Sequence, residues 1–326
     1  MTFALRSLVI TLASFGVATL IASAAVALMW HTPEGAAARR AGRLWWMRLL
    51  PSALAIVSCV FTVIGLWRFE ERHAGEQIGW IVRLCAVVGA LFLGAVIARL
   101  LRMHFQTRRL LATWLSNATR IYCPDVPGIP PLTIPAYRID THFPVVAVVG
   151  IVRPTLVVDA MVLDACSPHE LSAILAHEHA HIRRWDNLRR AVFAATPDLL
   201  AWTSIGPALR DAWREATEEA ADDVAAGTSE EAGVHLADAL IHVARLAHGT
   251  ESARSTQLRA TQLPASALYR GESIERRVRR LLAPAHAGLP AGRHWGTAIF
   301  TTALVLAFVL QREVHDLMEV AVNGLW

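Results

Sequence analysis

The chain has 326 residues, of which 54% are hydrophobic and 18% charged, and its formal net charge is +4. This composition is too apolar for an ordinary soluble domain and indicates membrane spans. The arginines flank apolar runs, which favours a role in membrane topology over direct binding of nucleic acid. None of the four cysteines has zinc-ligand or disulfide-framework spacing, so we expect packed thiols at Cys59, Cys85, Cys123 and Cys166.

Four apolar stretches approach the length of a membrane-spanning helix, which needs about 20 mainly apolar residues. They are residues 7–30, 49–67, 78–97 and, shortest of all, 295–310. We interpret the first as a retained span, because the residues after Trp30 do not form the small-residue cleavage site of a signal peptide. The spans divide the chain into an N-terminal membrane domain at 1–101, a central domain at 102–294, and a fourth span with a short tail at 295–326.

Arginine placement predicts how the chain is oriented, since cytoplasmic loops carry an excess of basic residues. Three segments are rich in arginine: the loop after the first span, the segment after the third and the segment before the fourth. These residues are Arg39, Arg40, Arg43 and Arg48; Arg99, Arg102, Arg108 and Arg109; and Arg276, Arg277, Arg279 and Arg280. The central domain should therefore be cytoplasmic and both termini should lie outside.

Strand signals come early in the central domain. A proline-rich stretch at 124–135 is typical of an extended connector. Two β-rich runs follow, Phe143 to Val149 and Thr155 to Val158, and Gly150 between them favours a hairpin or tight strand pair.

From Ser167 onward the pattern is mostly helical. The apolar run from Ala191 to Pro207 contains Pro197 and Asp198, which argue against a membrane span. A hairpin buried in the domain, or one pressed against the membrane surface, is expected there instead. Residues 249–264 have the composition of a loop.

The stretch from Ser167 to His181 carries the chemistry. Ser167 is the expected N-cap of a helix, with Pro168 at its first position and Glu170 completing a capping box. Residues 177–181 within this helix form an HExxH sequence.

Residues four apart lie on one face of a helix, so His177 and His181 can present two imidazoles to one Zn²⁺ at about 2.0–2.1 Å. Glu178 lies beside them and is the expected general base that takes a proton from the attacking water. His179 points to another face and is not expected to bind metal. Asp186, near the end of the helix, could cap it, bond locally or help to orient the site.

A catalytic zinc normally has three protein ligands and one open position. The third ligand is expected on a second helix, predicted from Pro207 to Ala226 and ended by Gly227. Two carboxylate pairs there have the same one-turn spacing: Glu218 with Asp222, and Glu219 with Asp223. In either pair the first residue could bind zinc while the second accepts a hydrogen bond from a ligand imidazole. Spacing does not choose between them, and a solvated acidic face is the alternative.

These residues resemble the membrane metallopeptidases of the BlaR/MecR type, the antirepressor sensor-transducers of β-lactam resistance. The resemblance spans roughly residues 80–310 and rests on three stretches: 149–154, 171–186 and 218–222. It implies a mainly α membrane fold with four transmembrane helices. A cytoplasmic, gluzincin-like α+β zinc metallopeptidase domain would then lie between the third and fourth.

The resemblance also implies a choice of ligands. A small residue precedes the aspartate in the family's pattern, as Ala221 precedes Asp222 here, which favours Glu218 over Glu219 as the third ligand. The implied site therefore holds one Zn²⁺ through His177, His181 and Glu218, with Glu178 catalytic and Asp222 supporting a ligand imidazole.

The implied function is that of a zinc endopeptidase in the bacterial inner membrane. Its substrate would be a cytoplasmic regulatory protein such as a repressor, or the protease itself, acting in signal transduction. The penicillin-binding domain of the drug-sensing members has no counterpart in the roughly sixteen residues after the fourth span, so a β-lactam signal is not expected.

A substrate is expected to add to the strand edge near Val145 to Val149. Three residues are candidates for stabilising the oxyanion, with no feature that decides among them: His235, His242 and Tyr269. A homo-oligomer is compatible with the sequence.

Two alternative functions predict different sequence features. A non-catalytic signalling scaffold would retain the fold, but it predicts loss of Glu178 or of a ligand. A small four-span transporter predicts ionisable residues in the middle of spans, yet Arg83 lies near the end of one.

Overall fold

A computed structural model describes residues 3–31, 33–69, 79–121, 134–141, 145–151, 153–196, 200, 203–227, 230–248 and 274–283. The predicted fourth span at 295–310 and the predicted loop at 249–264 lie outside these residues, as does most of the proline-rich connector.

Three long helices begin the chain: α1 (Phe3–Leu28), α2 (Ala37–Phe69) and α3 (Trp80–Leu115). Each is long and apolar enough to cross a membrane, and they coincide with the first three predicted spans. Helices α2 and α3 are longer than predicted. The 36 residues of α3 measure about 54 Å at 1.5 Å per residue, well beyond a hydrocarbon core of roughly 30 Å.

A four-stranded sheet follows, made of β1 (Thr119–Ile121), β2 (Ala136–Ile139), β3 (Val146–Val149) and β4 (Thr155–Asp159). Its order is β1-β2-β4-β3, with β2 and β4 parallel and the other pairs antiparallel. The predicted hairpin is the β3–β4 pair. Its turn contains Gly150 at φ 105°, where a Cβ would come within 2.6 Å of the Arg153 carbonyl oxygen.

Six helices complete the described chain: α4 (Ala160–Ala165), α5 (Pro168–Arg183), α6 (Asp186–Ala195), α7 (Ile205–Ala226), α8 (Glu230–His248) and α9 (Ile274–Leu281). Helix α7 begins two residues before the predicted start and ends at Gly227, whose positive φ of 54° suits glycine.

Both faces of the sheet are buried at β3 and β4. Val146 and Val148 belong to a core with Ile174 of α5 and Leu240 of α8. The alternate strand residues face Leu110, Leu111 and Trp114 near the end of α3. The last turns of α3, beyond the predicted end of the third span at residue 97, therefore serve as a wall of the domain.

Helices α6 and α7 pack on the first two membrane helices. Phe193 and Trp213 stack with ring centroids 5.0 Å apart and share a core with Val26 and Leu44. The buried Arg48 guanidinium donates to the carbonyl oxygens of Phe193 (3.2 Å) and Thr196 (2.7 Å) at the end of α6. The described part of the run from Ala191 thus comprises the end of α6 and the start of α7, and both helices pack on α1 and α2.

Candidate metal centre

The helix that carries the HExxH motif has the start that its sequence predicts. Ser167 is the N-cap, and Pro168 is the first residue of α5. The backbone N–H of Ser167 donates to Glu170 Oε2 at 2.7 Å, and the Glu170 N–H donates to Ser167 Oγ at 3.3 Å. This capping box is confirmed. It fixes the start of α5 and places the motif about three turns further along.

Three donor atoms converge between α5 and α7. The Nε2 atoms of His177 and His181 are 3.1 Å apart. Glu218 Oε2 lies 3.5 Å from the first and 3.8 Å from the second. All three side chains are buried. The structure therefore brings together the three residues expected to hold a metal.

Each imidazole is held from behind by a carboxylate. His177 Nδ1 lies 3.0 Å from Asp222 Oδ1, and His181 Nδ1 lies 2.8 Å from Asp186 Oδ2. Such contacts fix the tautomer and the ring orientation, so that both Nε2 atoms face the centre. Sequence reasoning placed Asp222 behind a ligand imidazole but left Asp186 open. The contact of Asp186 with His181 depends on the turn at Trp185, which brings the start of α6 back beneath α5. The sequence did not predict this turn.

A buried arginine from α9 contacts two carboxylates of the metal centre. Arg277 donates from Nε and Nη2 to the two oxygens of Asp222, at 2.8 and 2.7 Å, and its Nη1 lies 3.5 Å from Glu218 Oε2. Arg190 of α6 approaches Glu218 Oε1 at 3.8 Å. Arg277 was not predicted to be part of the centre, because it lies in an arginine-rich run that has the pattern of a membrane flank.

The electrostatics of the centre favour positive charge. Burial opposes charging of His181, but Glu218, Asp186 and Glu178 together raise its pKa to about 10. Burial likewise opposes the charge on His177, yet Asp222 and Glu218 raise its pKa as well. Burial raises the pKa of the Glu218 carboxyl, but the neighbouring His181 and His177 lower it well below the usual value. Glu218 therefore stays ionised. Ionised carboxylates around inward-facing imidazoles suit a cation.

Glu178 lies at the centre without being one of the converging donors. Its side chain is fully buried, at 0% exposure, immediately after His177 on α5. Burial lowers the pKa of the His181 imidazole, and the charge of Glu178 adds to the rise caused by Glu218 and Asp186. This position fits a group that exchanges protons near the metal.

The second carboxylate pair on α7 has different partners. Glu219 pairs with Arg40 of α2 and with Arg280 of α9, and Arg280 also pairs with Asp223. The pair therefore bridges helices and does not face the imidazoles. The alternative of a solvated acidic face is wrong for Glu218, Glu219 and Asp222, which are all buried.

The other histidines singled out from the sequence lie elsewhere. His179 is absent from the converging group, and burial followed by Arg183 lowers its pKa. His235 stacks on His169, and His242 Nδ1 lies 2.9 Å from Glu170 Oε1. Tyr269 is outside the described residues.

Cys166 forms a second group of potential donors with Glu170 and His242. Burial, followed by Glu170, raises the pKa of the Cys166 thiol to about 11, which disfavours the thiolate that a metal needs. This group is therefore a weaker candidate than the one on α5 and α7.

Zinc fits the group on α5 and α7 by chemistry and by size. Two imidazole nitrogens and a carboxylate oxygen are a common donor set of catalytic zinc. Tetrahedral ligands at 2.0–2.1 Å lie about 3.3 Å from one another. The observed separations of 3.1, 3.5 and 3.8 Å bracket that value. Small side-chain movements would complete the coordination.

An HExxH helix joined by a carboxylate from a neighbouring helix defines a metallopeptidase class of site. Comparison with protein families agrees, since residues 147–303 match the model of Peptidase family M48. The match supports an M48-type metallopeptidase. It begins in β3 and covers the strand pair, the motif helix and α7, while α1, α2 and α3 lie outside it. No curated protein matches the chain.

Proposed function

We propose that the protein is an integral membrane zinc endopeptidase that cleaves a regulatory protein, such as a transcriptional repressor, or itself. The observation that carries this proposal is the convergence of His177, His181 and Glu218, whose three donor atoms lie 3.1–3.8 Å apart. The match to Peptidase family M48 supports the peptidase activity. The regulatory, BlaR/MecR-type role rests on the sequence resemblance alone.

The residues divide the work as follows. His177, His181 and Glu218 hold the zinc, while Asp222 and Asp186 keep the two imidazoles turned inward. When bound, zinc supplies Lewis-acid polarisation of the scissile carbonyl and makes the attacking water more acidic. Glu178 takes a proton from that water as its oxygen attacks the carbonyl carbon, then passes the proton to the departing amine nitrogen as the C–N bond breaks.

Removing the general base tests the catalytic role. Purified full-length Glu178→Gln in nanodiscs should keep about one zinc per chain but lose peptide cleavage by about 10²–10⁴-fold. His179→Gln, in the same helix but outside the converging group, is the matched control and should keep both zinc and activity. Cleavage by zinc-loaded Glu178→Gln at the wild-type rate would contradict the role of Glu178 as general base, and zinc-loaded wild type that cleaves nothing would favour a non-catalytic scaffold that has retained the fold.

The choice of third ligand has its own test, which is metal content. Glu218→Gln should lose stoichiometric zinc, whereas Glu219→Gln should retain it, because Glu219 bonds to arginines rather than to the metal. The reverse result would overturn the ligand assignment.

The proposed orientation puts the peptidase domain in the cytoplasm and the N-terminus outside. The domain packs on the arginine-rich first third of α2, the end that the positive-inside rule assigns to the cytoplasm. Two of these arginines also hold the domain directly: Arg40 pairs with Glu219, and Arg48 donates to carbonyl groups of α6. Cysteine accessibility on the two sides of the membrane would test the orientation.

The substrate can be sought in the producing cells. Comparing the proteomes of cells that carry wild-type or Glu178→Gln protein should reveal a regulatory protein, or the protease itself, cleaved only by the wild type. Cleavage confined to unrelated membrane or outer proteins would contradict the regulatory role.

A further inference from the structure

The outer edge of the sheet lies next to the metal centre. Strand β3 is the last in the sheet order, and no described strand lies beyond it. The Asp159 N–H donates to the Val145 carbonyl oxygen at 2.8 Å. Since bonding alternates along an antiparallel pair, Val146 and Val148 turn their backbone groups away from β4.

Asn187, the second residue of α6, closes one end of this edge. Its Nδ2 donates to the carbonyl oxygens of Val148 (2.8 Å) and Gly150 (3.1 Å). Two carbonyl acceptors at one amide end require the NH₂ group there, so the orientation of the amide is fixed. Because Asn187 already donates to the Val148 carbonyl oxygen, a strand that adds to β3 cannot bond to that oxygen. Its pairing with β3 therefore cannot continue in register towards Gly150.

The other end of the same amide is an unmatched acceptor. Asn187 is only 8% exposed, and its Oδ1 accepts no hydrogen bond from any residue that the structure describes. A buried carbonyl oxygen left without a donor is destabilising. A ligand that brings an N–H to this atom would relieve that destabilisation.

A cavity of about 90 Å³ opens beside this amide and touches His181. Apart from His181 and Asn187, its side chains are apolar: Ile151, Pro154, Ile182, Trp185 and Leu188. Trp185 is 62% exposed and adopts a left-handed backbone at φ 56°, which is unusual for a bulky residue. Strained backbone of this kind clusters at ligand-binding sites.

We propose that Asn187 and this cavity form the subsite that sets substrate register and selects a bulky apolar side chain. The ligand is an extended peptide that pairs with β3 at Val146 and ends its pairing at Val148. One of its N–H groups then donates to Asn187 Oδ1, and an aliphatic or aromatic side chain enters the cavity beside His181. This inference rests on the proposed peptidase function and names its substrate class.

The first test profiles cleavage. Zinc-loaded full chain in nanodiscs is incubated with a tryptic peptide library, and cleaved sites should share a bulky aliphatic or aromatic residue at one fixed position. Leu188→Trp should shift that position towards Gly, Ala and Ser, whereas Leu188→Ala should shift it towards larger residues. Leu188 is 41% exposed, so both variants should fold. An identical profile in wild type and both variants would overturn the proposal.

The second test is kinetic and uses one peptide from the wild-type profile. Asn187→Ala should raise KM about tenfold, the equivalent of one hydrogen bond, with kcat within about threefold. The exposed Asn117→Ala is the control and should match wild type. A fall in kcat with KM unchanged, at equal zinc content and melting temperature, would contradict the proposal. It would mean that Asn187 only links α6 to β3 through its hydrogen bonds.

The peptidase function and the subsite would be contradicted by different outcomes. If zinc-loaded wild type cleaves no peptide in the library, both the peptidase function and the subsite are wrong. If wild type cleaves and Glu178→Gln does not, but no fixed apolar position emerges, only the subsite is wrong.

Discussion

Arg277 is a buried charge that stabilises the ionised carboxylates of the metal centre. It is 2% exposed and lies between Asp222 and Glu218, both of which stay ionised. Burial opposes its charge, yet Asp222 and Glu218 raise its pKa above the ordinary arginine value. The guanidinium therefore compensates carboxylates that would otherwise repel each other in a site closed to solvent.

Arg277→Met should destabilise the metal-free protein by about 3–5 kcal/mol, because it leaves buried carboxylates without their partner. Zinc should reduce this loss, since a bound cation restores part of the missing positive charge. Unfolding of the full chain in detergent, with chelator and then with zinc, measures both effects.

Arg279→Met is the matched control for this prediction. Arg279 lies on the same helix and pairs only with the exposed Glu275 among its described contacts. Its removal should change stability by no more than about 0.5 kcal/mol. Equal destabilisation by the two variants would contradict the role given to Arg277.

At the scale of single elements, α5 and α7 begin in different ways. Ser167 caps α5 through its hydroxyl, whereas Ser204 at the start of α7 makes no side-chain capping bond. Ser167→Ala should therefore cost about 1 kcal/mol, while Ser204→Ala should stay within about 0.5 kcal/mol. Denaturant unfolding of the full chain in detergent compares the two, and similar losses would show that the capping box adds little.

The same helices show what the sequence could predict. The start of α5, the β3–β4 hairpin, and the reach of α7 to Gly227 all follow from local signals: a capping box, a glycine turn and a helix-ending glycine. The meeting of His177 and His181 with a carboxylate of α7 was predictable from helical periodicity, whereas the choice of Glu218 over Glu219 came from the family resemblance.

What escaped prediction depends on distant packing. Strands β1 and β2 have three and four residues, too few to show alternation, and each is stabilised by its partner in the sheet. The arginines of α9 have the local pattern of a membrane flank, yet Arg276, Arg277 and Arg280 pair with carboxylates of α7. Which carboxylate an arginine meets depends on how α9 packs, and the sequence of α9 does not reveal it.

At the scale of the whole molecule, the membrane helices and the peptidase domain share their packing. The end of α3 covers one face of the sheet, and α1 and α2 pack against α6 and α7. Arg48 of α2 and Arg99 of α3 both donate to the Thr196 carbonyl oxygen at the end of α6. That helix begins with Asp186, which contacts His181, so a single helix connects two membrane helices to the metal centre.

The arrangement of the three membrane helices depends on a close contact between α1 and α3. A Cβ on Gly89 would overlap the Leu12 carbonyl oxygen, and one on Gly16 would lie 2.8 Å from the Cys85 carbonyl oxygen. Backbone approaches of this kind are typical of small residues between transmembrane helices. Alanine at Gly89 would force α1 and α3 apart, and both helices also contact the domain.

Gly89→Ala should therefore lower the stability of the full chain in detergent by about 1–3 kcal/mol, the usual range for overpacking. Gly94→Ala is the control on the same helix, because no atom lies within 4 Å of its added Cβ. It should be neutral or slightly stabilising, since alanine is the better helix former. Thermal unfolding with peptidase activity measured in parallel compares them. If Gly89→Ala were as stable as Gly94→Ala, α1 and α3 would not pack this closely in the membrane.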